Sequence, residues 1–157
     1  MKKRQKMKMT GKIAEIQVKY NCNIDKKDRI QIKNANEAFN VFKENWSELI
    51  EYQEELNILL LNKKNEVLGV YNAFKGGGDV SLIDVKIILK AALSTNAFSI
   101  ILAHNHPSGD TNPSRADIEV TKKIKKACDL LEIALLDHLI LTNDIFLSMN
   151  DEGYIYN

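Results

Sequence analysis

Two of the chain's three histidines, His104 and His106, stand one residue apart, and Asp117 follows in the same short stretch, AHNHPSGDTNPSRADIE. On an extended backbone residues i and i+2 point to the same side, so the two imidazoles leave the chain together. Pro107, Ser108, Gly109 and Asp110 break the strand and turn it. Pro113-Ser114 then opens a helix with Asp117 in its first turn, and that turn can fold back over the strand end. Two imidazoles, one carboxylate and an open fourth position are a catalytic zinc pattern, because the open position holds a water. Zinc lowers the pKa of that water toward neutrality and so supplies a nucleophile at physiological pH.

Each of these residues has a plainer use. A paired HxH can satisfy backbone groups at a strand end. Ser114-Arg-Ala-Asp117 fits a helix start, with Ser as N-cap and an acid three residues later, so Asp117 can cap. Asp110 reads as the residue that closes an Asx turn. His138, beside Asp137 in the strand LLDHLIL, reads as a hydrogen-bonded core histidine. Ligation and capping both remain open at this point. The contiguous letters H-N-H do not make an HNH nuclease, whose named residues are dispersed through a ββα unit.

The elements that must hold these residues are visible as patterns. "FSIILA", Phe98 to Ala103, is a short apolar run that predicts a buried strand leading straight into His104. Ile118, Thr121, Ile124, Cys128 and Leu131 recur at helical spacing, and ALLDHLIL predicts the next strand. Upstream, LNILLLN (Leu56 to Asn62), the polar KKNE and VLGVYNAF read as a hairpin. Val85, Ile88, Leu89, Ala92 and Leu93 predict an amphipathic helix, and IFLSM a short closing strand. Nearer the start, Ile16, Val18 and Tyr20 alternate as in a strand, and Ile30 and Ile32 repeat this more weakly. Asn34 or Asn36 can cap a helix running to about Leu49, with Ala38, Val41, Phe42 and Trp46 on one face. Gly76-Gly77-Gly78 reads as a flexible turn, since neither GK[ST] nor GxGxxG accompanies it. Helices alternate with strands, so the class is mixed α and β around a central sheet.

A chain of 157 residues suits one domain, and no apolar run approaches the length needed to span a bilayer. Isolated Cys22 and Cys128 offer no disulfide framework, which points to a reducing cytoplasm. No apolar segment follows the basic start, so no secretory signal is expected. The net charge of +1 hides an asymmetry, because Lys2, Lys3, Arg4, Lys6, Lys8 and Lys12 all precede the first acid, Glu15. Residues 1–12 are therefore expected to form a flexible basic tail and 13–157 the folded domain. Such a tail can touch nucleic-acid phosphates or simply stay solvated.

HNHPSGDTNPSRAD resembles the zinc motif of the JAMM (MPN-plus) metalloproteases, HxHPxxxxxxSxxD, at every motif position. With the flanks IILAHNHPSGDTNPSRADIEVTKKI and LLDHLIL, the chain resembles the RadC branch of that superfamily, long labelled as DNA repair proteins. The resemblance covers roughly Asn36 to Gly153 and is most specific over Ile100 to Leu141. It implies a JAMM-type fold similar to cytidine deaminase, with a central sheet and helices packed on it. It also implies zinc held by His104, His106 and Asp117, and Ser114 donating to the oxyanion of a tetrahedral intermediate. RadC-like chains carry an upstream glutamate as general acid/base in a pattern like EHFxxLFLD. The matching stretch EELNILLLN aligns Glu54 with that position. Glu55 is its rival, and adjacent strand residues face opposite sides, so only one can look into the site.

Full-length RadC proteins are expected to resemble this chain only in their C-terminal part and not in their N-terminal helix-hairpin-helix region, so the repair label is expected to transfer poorly. Ile83-Asp84 replaces the usual proline-arginine before the central helix. The leading expectation is a zinc-dependent hydrolase of amide or isopeptide bonds acting on a peptide or an isopeptide-linked protein. The alternatives are a nucleic-acid-associated module that uses the basic tail, and a zinc-stabilised interaction domain without catalysis. A structural zinc usually has four closed ligands and needs no base, which favours the first.

Overall fold

A computed structural model describes residues 11–12, 14–76 and 83–156. Residues 1–10 of the basic segment, and with them the expected nucleic-acid contact, lie outside the described residues, as do Gly77 and Gly78. Five strands form one mixed sheet: β1 (Glu55–Leu61), β2 (Val67–Lys75), β3 (Ser99–Asn105), β4 (Ala134–Leu141) and β5 (Phe146–Ser148). Their spatial order is β2-β1-β3-β4-β5. Only β3 and β4 run parallel, and the connection between them is helix α3 (Arg115–Leu130), as a parallel crossover requires. Helices α1 (Ala35–Glu44) and α2 (Val85–Ser94) complete the set. The chain is a mixed α/β domain built on one five-stranded sheet, as expected.

Every residue of β1 and β3 is buried, which is why they read as unbroken apolar runs and not as alternating ones. Alternate residues still go to different cores. Leu56, Ile58, Leu60, Ile100 and Leu102 pack under Ile88, Ala92, Val120, Ile124 and Cys128 of α2 and α3. Leu59, Leu61, Ile101, Ala103, Leu139 and Leu141 pack under Ala38, Val41 and Phe42 of α1. The sheet thus has an α2/α3 face and an α1 face, and parity along a strand decides which face a side chain meets.

The helix starts are chemically explicit. Asn34 accepts from Glu37 N at 2.9 Å, and Asp84 accepts from Lys86 N at 3.0 Å. Ile83 is buried and Asp84 caps α2, so this pair performs packing and capping.

Three expectations fail near the start. Residues 14–24 form no strand; Ile16 and Val18 are 86% and 71% exposed. Alternation makes a strand only where another strand supplies hydrogen bonds, and this segment has none among the described residues, being tied through the Tyr20 hydroxyl to the Leu68 carbonyl. The weaker repeat at Ile30 and Ile32 yields a single bridge, Gln31 to Glu66. Helix α1 ends at Glu44 and not near Leu49, because Asn45 folds back, its Nδ2 donating to the Val41 carbonyl at 2.8 Å. Trp46 still packs edge-on against Phe42, but from the following turn. Finally, β3 runs past Ala103 through His104 to Asn105.

Candidate metal centre

Strand pairing sets the site. His104 lies opposite Leu56 of β1 and beside Ile140 of β4, so its ring projects on the α2/α3 face. The pairing continues one residue past β3, with His106 N donating to the Leu141 carbonyl at 3.0 Å, and this keeps His106 in step with His104. Ser114 starts α3 with a capping box: its Oγ accepts from Asp117 N, and its backbone N–H donates to Asp117 Oδ2 at 2.7 Å. That box fixes the Asp117 carboxylate above the strand end. Asp117 therefore caps its helix and meets the histidines as well.

His104 Nε2 and His106 Nε2 are 2.9 Å apart, and the Asp117 oxygens lie 3.2 Å from the first and 3.5 Å from the second. Bonds of 2.0–2.1 Å at tetrahedral angles separate ligand atoms by about 3.3 Å. The donor set fits zinc in both chemistry and spacing, and it is the group of side chains that could hold a metal among the described residues. The ring nitrogens pointing away are occupied. His106 Nδ1 lies 2.6 Å from the Asp110 carbonyl, and His104 Nδ1 lies 2.7 Å from His138 Nε2. Asp110 also makes the expected Asx turn, accepting from Asn112 N at 2.9 Å.

Burial alone pushes the Asp117 carboxyl up, but the Ser114 hydroxyl and the two imidazoles packed against it outweigh burial and hold it far below the usual range. His106 is raised by its bond to Asp117 against the effect of burial, with the Asp110 carbonyl and the charge of Glu54 adding to the push. His104 is fully buried, whereas His106 is 15% exposed at a cleft of about 340 Å³. Besides His106, this cleft is lined by Ile50, Glu51, Pro107, Gly109 and Thr142 to Ile145.

The two glutamates part company. Glu54 precedes β1 with the parity of Leu56 and is half-buried near His106. Glu55 turns to the α1 face, accepting from the Ser47 hydroxyl and from Asn72 Nδ2 at 3.1 Å, with Lys75 Nζ at 3.7 Å. The Ser114 hydroxyl donates to Asp117 Oδ2 at 2.7 Å. To serve an oxyanion it would have to leave that partner.

Three further residues belong to the site and were not visible as such in the sequence. Thr121, one turn after Asp117 in α3, lies 2.6 Å from His138 Nδ1. His138 is a buried, hydrogen-bonded histidine as expected, but its partner is a candidate ligand. Asn105, between the two candidate ligand histidines, faces the other way. Its Nδ2 donates to the carbonyls of Ile50 (2.6 Å) and Gln53 (2.8 Å), and its Oδ1 accepts from Glu55 N (2.7 Å). One side chain thus clamps the turn that delivers Glu54. The helical spacing of Asp117 and Thr121 was the only signal for the first. The register of β4, which brings in His138, leaves no mark in sequence.

The sequence pattern of the RadC-like JAB domain family matches residues 32–154, which include every strand and helix named above. The chain belongs to this family. The RadC-like JAB domain described here is 46% identical over 103 residues to a UPF0758 protein of Clostridium beijerinckii, covering 66% of this chain and 45% of the relative. It is 49% identical over 105 residues to a UPF0758 protein of Chlorobaculum parvum, covering 67% and 47%. A third UPF0758 protein, from Flavobacterium johnsoniae, is 41% identical over 123 residues, covering 78% and 53%. The chain spans about half the length of the curated relatives it matches. No helix among the described residues is long and apolar enough to cross a membrane.

Proposed function

We propose that this RadC-like JAB domain is a zinc-dependent hydrolase that cleaves amide or isopeptide bonds in a peptide or isopeptide-linked protein. The observation that carries this reading is the convergence of His104 Nε2, His106 Nε2 and an Asp117 carboxylate beside an open cleft, at spacings near those of a tetrahedral site, with Glu54 close enough for its charge to act on His106. His104, His106 and Asp117 would hold the zinc ion, which when bound would supply an acidified water and a Lewis acid for the scissile carbonyl. Glu54 takes the proton of the attacking water and returns it to the leaving amine. Ser114 turns its O–H from Asp117 to the developing oxyanion. Three protein ligands leave one position free, which a purely structural zinc would not.

The deciding experiment joins elemental analysis to a panel of peptide, isopeptide-linked and nucleic-acid substrates. About one zinc per chain is expected, together with hydrolysis of a peptide or isopeptide substrate that a chelator abolishes and zinc restores. Protein carefully prepared without a chelator and found free of zinc would end the reading. Cleavage confined to the nucleic acid would replace it.

A further inference from the structure

We infer that His138 and Thr121 are positioning residues that fix His104 in the tautomer a metal ligand needs, through a hydrogen-bonded relay ending on the backbone of Asp117. The inference rests on reading His104, His106 and Asp117 as a metal centre.

The relay can be followed proton by proton. The Thr121 hydroxyl donates to the Asp117 carbonyl at 2.6 Å, one helical turn back. The other acceptor within its reach, Met149 Sδ, is a weak one at 3.7 Å. Either use spends the only hydroxyl hydrogen, so Thr121 Oγ1 can meet His138 Nδ1, 2.6 Å away, only as an acceptor. His138 Nδ1 therefore carries a hydrogen. The His138 ring is fully buried and its two nitrogens meet only Thr121 Oγ1 and His104 Nδ1, so no carboxylate is bonded to it to balance a second proton, and its Nε2 is bare. A bare Nε2 at 2.7 Å from His104 Nδ1 must accept, so His104 carries its hydrogen on Nδ1. The His104 Nε2 lone pair is then left facing Asp117 Oδ1 at 3.2 Å and His106 Nε2 at 2.9 Å.

The reverse polarity would send the Thr121 hydrogen to His138 and leave a hydrogen on His104 Nε2, where a ligand needs its lone pair. Only the Thr121 hydroxyl chooses between the two. The relay leaves β3 at one candidate ligand, crosses β4, and ends in α3 on the main chain of another. It thus ties the orientation of His104 to the helix turn that carries Asp117. It does so without adding a buried carboxylate, since Asp137, the neighbour of His138, points to the α1 face beside Ile101.

Thr121→Val keeps the side-chain shape and removes the hydroxyl, Thr121→Ser keeps the hydroxyl, and wild type is the reference. Two readouts are taken. Long-range proton–nitrogen NMR of the metal-free protein reports which His104 nitrogen is protonated, and competition with a chromogenic chelator reports zinc affinity. Wild type and Thr121→Ser are expected to hold His104 with hydrogen on Nδ1. Thr121→Val should show mixed tautomers and zinc affinity about 10- to 100-fold lower, the range for losing an outer-shell partner. Wild type with its hydrogen on Nε2 overturns the inference, as does a Thr121→Val variant with unchanged tautomer and affinity. Should Thr121→Val fail to fold, the wild-type tautomer still decides. A wild type that binds no zinc refutes the metal-centre reading instead, and its His104 tautomer judges the relay separately.

Discussion

Three pairs of adjacent residues divide between the faces of the sheet. Glu54, His104 and His138 lie on the α2/α3 face; Glu55, Asn105 and Asp137 lie on the α1 face. The first three surround the candidate metal centre. The second three are spent on the fold: Glu55 on Ser47, Asn72 and Lys75, Asn105 on the turn before β1, and Asp137 on Ser148, Asn150 N and His138 N. The polar groups on the reactive face converge on a point, whereas those on the bracing face fan out to neighbouring segments. Period-two geometry lets one strand end do both, and a substitution one residue away should therefore fail in a different way.

The largest contrast is expected from His106→Ala, which removes a donor from the reactive face. Zinc should fall from about one per chain to none after dialysis, because two remaining ligands hold the ion poorly. Retention of zinc in this variant would mean that the ion sits elsewhere.

Next comes the glutamate pair. Glu54→Gln should keep zinc and melting temperature while hydrolysis drops by about 10² to 10⁴, the range for a lost general base. Glu55→Gln should do the opposite, lowering stability by about 1–2 kcal/mol in urea unfolding and sparing turnover. Loss of turnover in Glu55→Gln alone would place the base on the other face and invert the comparison.

Asn105→Ala tests whether bracing reaches across the sheet. It strips partners from two carbonyls and one N–H, so stability should fall by about 1–3 kcal/mol with zinc retained. Because the freed turn carries Glu54, kcat should fall more than KM rises. Unchanged turnover in a folded variant would make Asn105 a brace alone.

The smallest effect concerns Asp137. Burial raises its carboxyl above the usual range, against the hydrogen bonds it accepts. Such a group contributes stability that is fully present below the unfolded carboxylate pKa and is lost as pH rises through the folded value. Asp137→Asn should therefore be at least as stable as wild type near neutrality. Its relative advantage should shrink on acidification toward about pH 4. An advantage that grows on acidification would contradict the sign.

The ligand stretch was legible because its signals are local: HxH parity, a turn, and a capping pattern within one short segment. The buried strands were legible because both faces of the sheet are covered, so apolar runs stand out. What escaped depends on pairing at a distance. The alternation of Ile16, Val18 and Tyr20 has no strand beside it, and nothing in those residues says so. Asn45 ends α1 by a side-chain hydrogen bond that competes with helix continuation, so the apolar spacing out to Trp46 misled. His138 meets His104 through a parallel register that shifts between Ile100 and Ile101, a feature no residue pattern announces.

The ordering of the site along the chain has a consequence for assembly. The three candidate ligands come from one unbroken segment, His104 to Asp117, whereas Glu54 reaches them only through β1, whose tie from Glu55 to Asn105 spans 50 residues. Closing the longer loop costs roughly 1 kcal/mol more chain entropy than closing the shorter one. On the proposed reading, capturing an ion would thus be a short-range event in folding, and arming it a long-range one. A domain that frays at β1 would keep its ion and lose its base, and so be quiet without being empty.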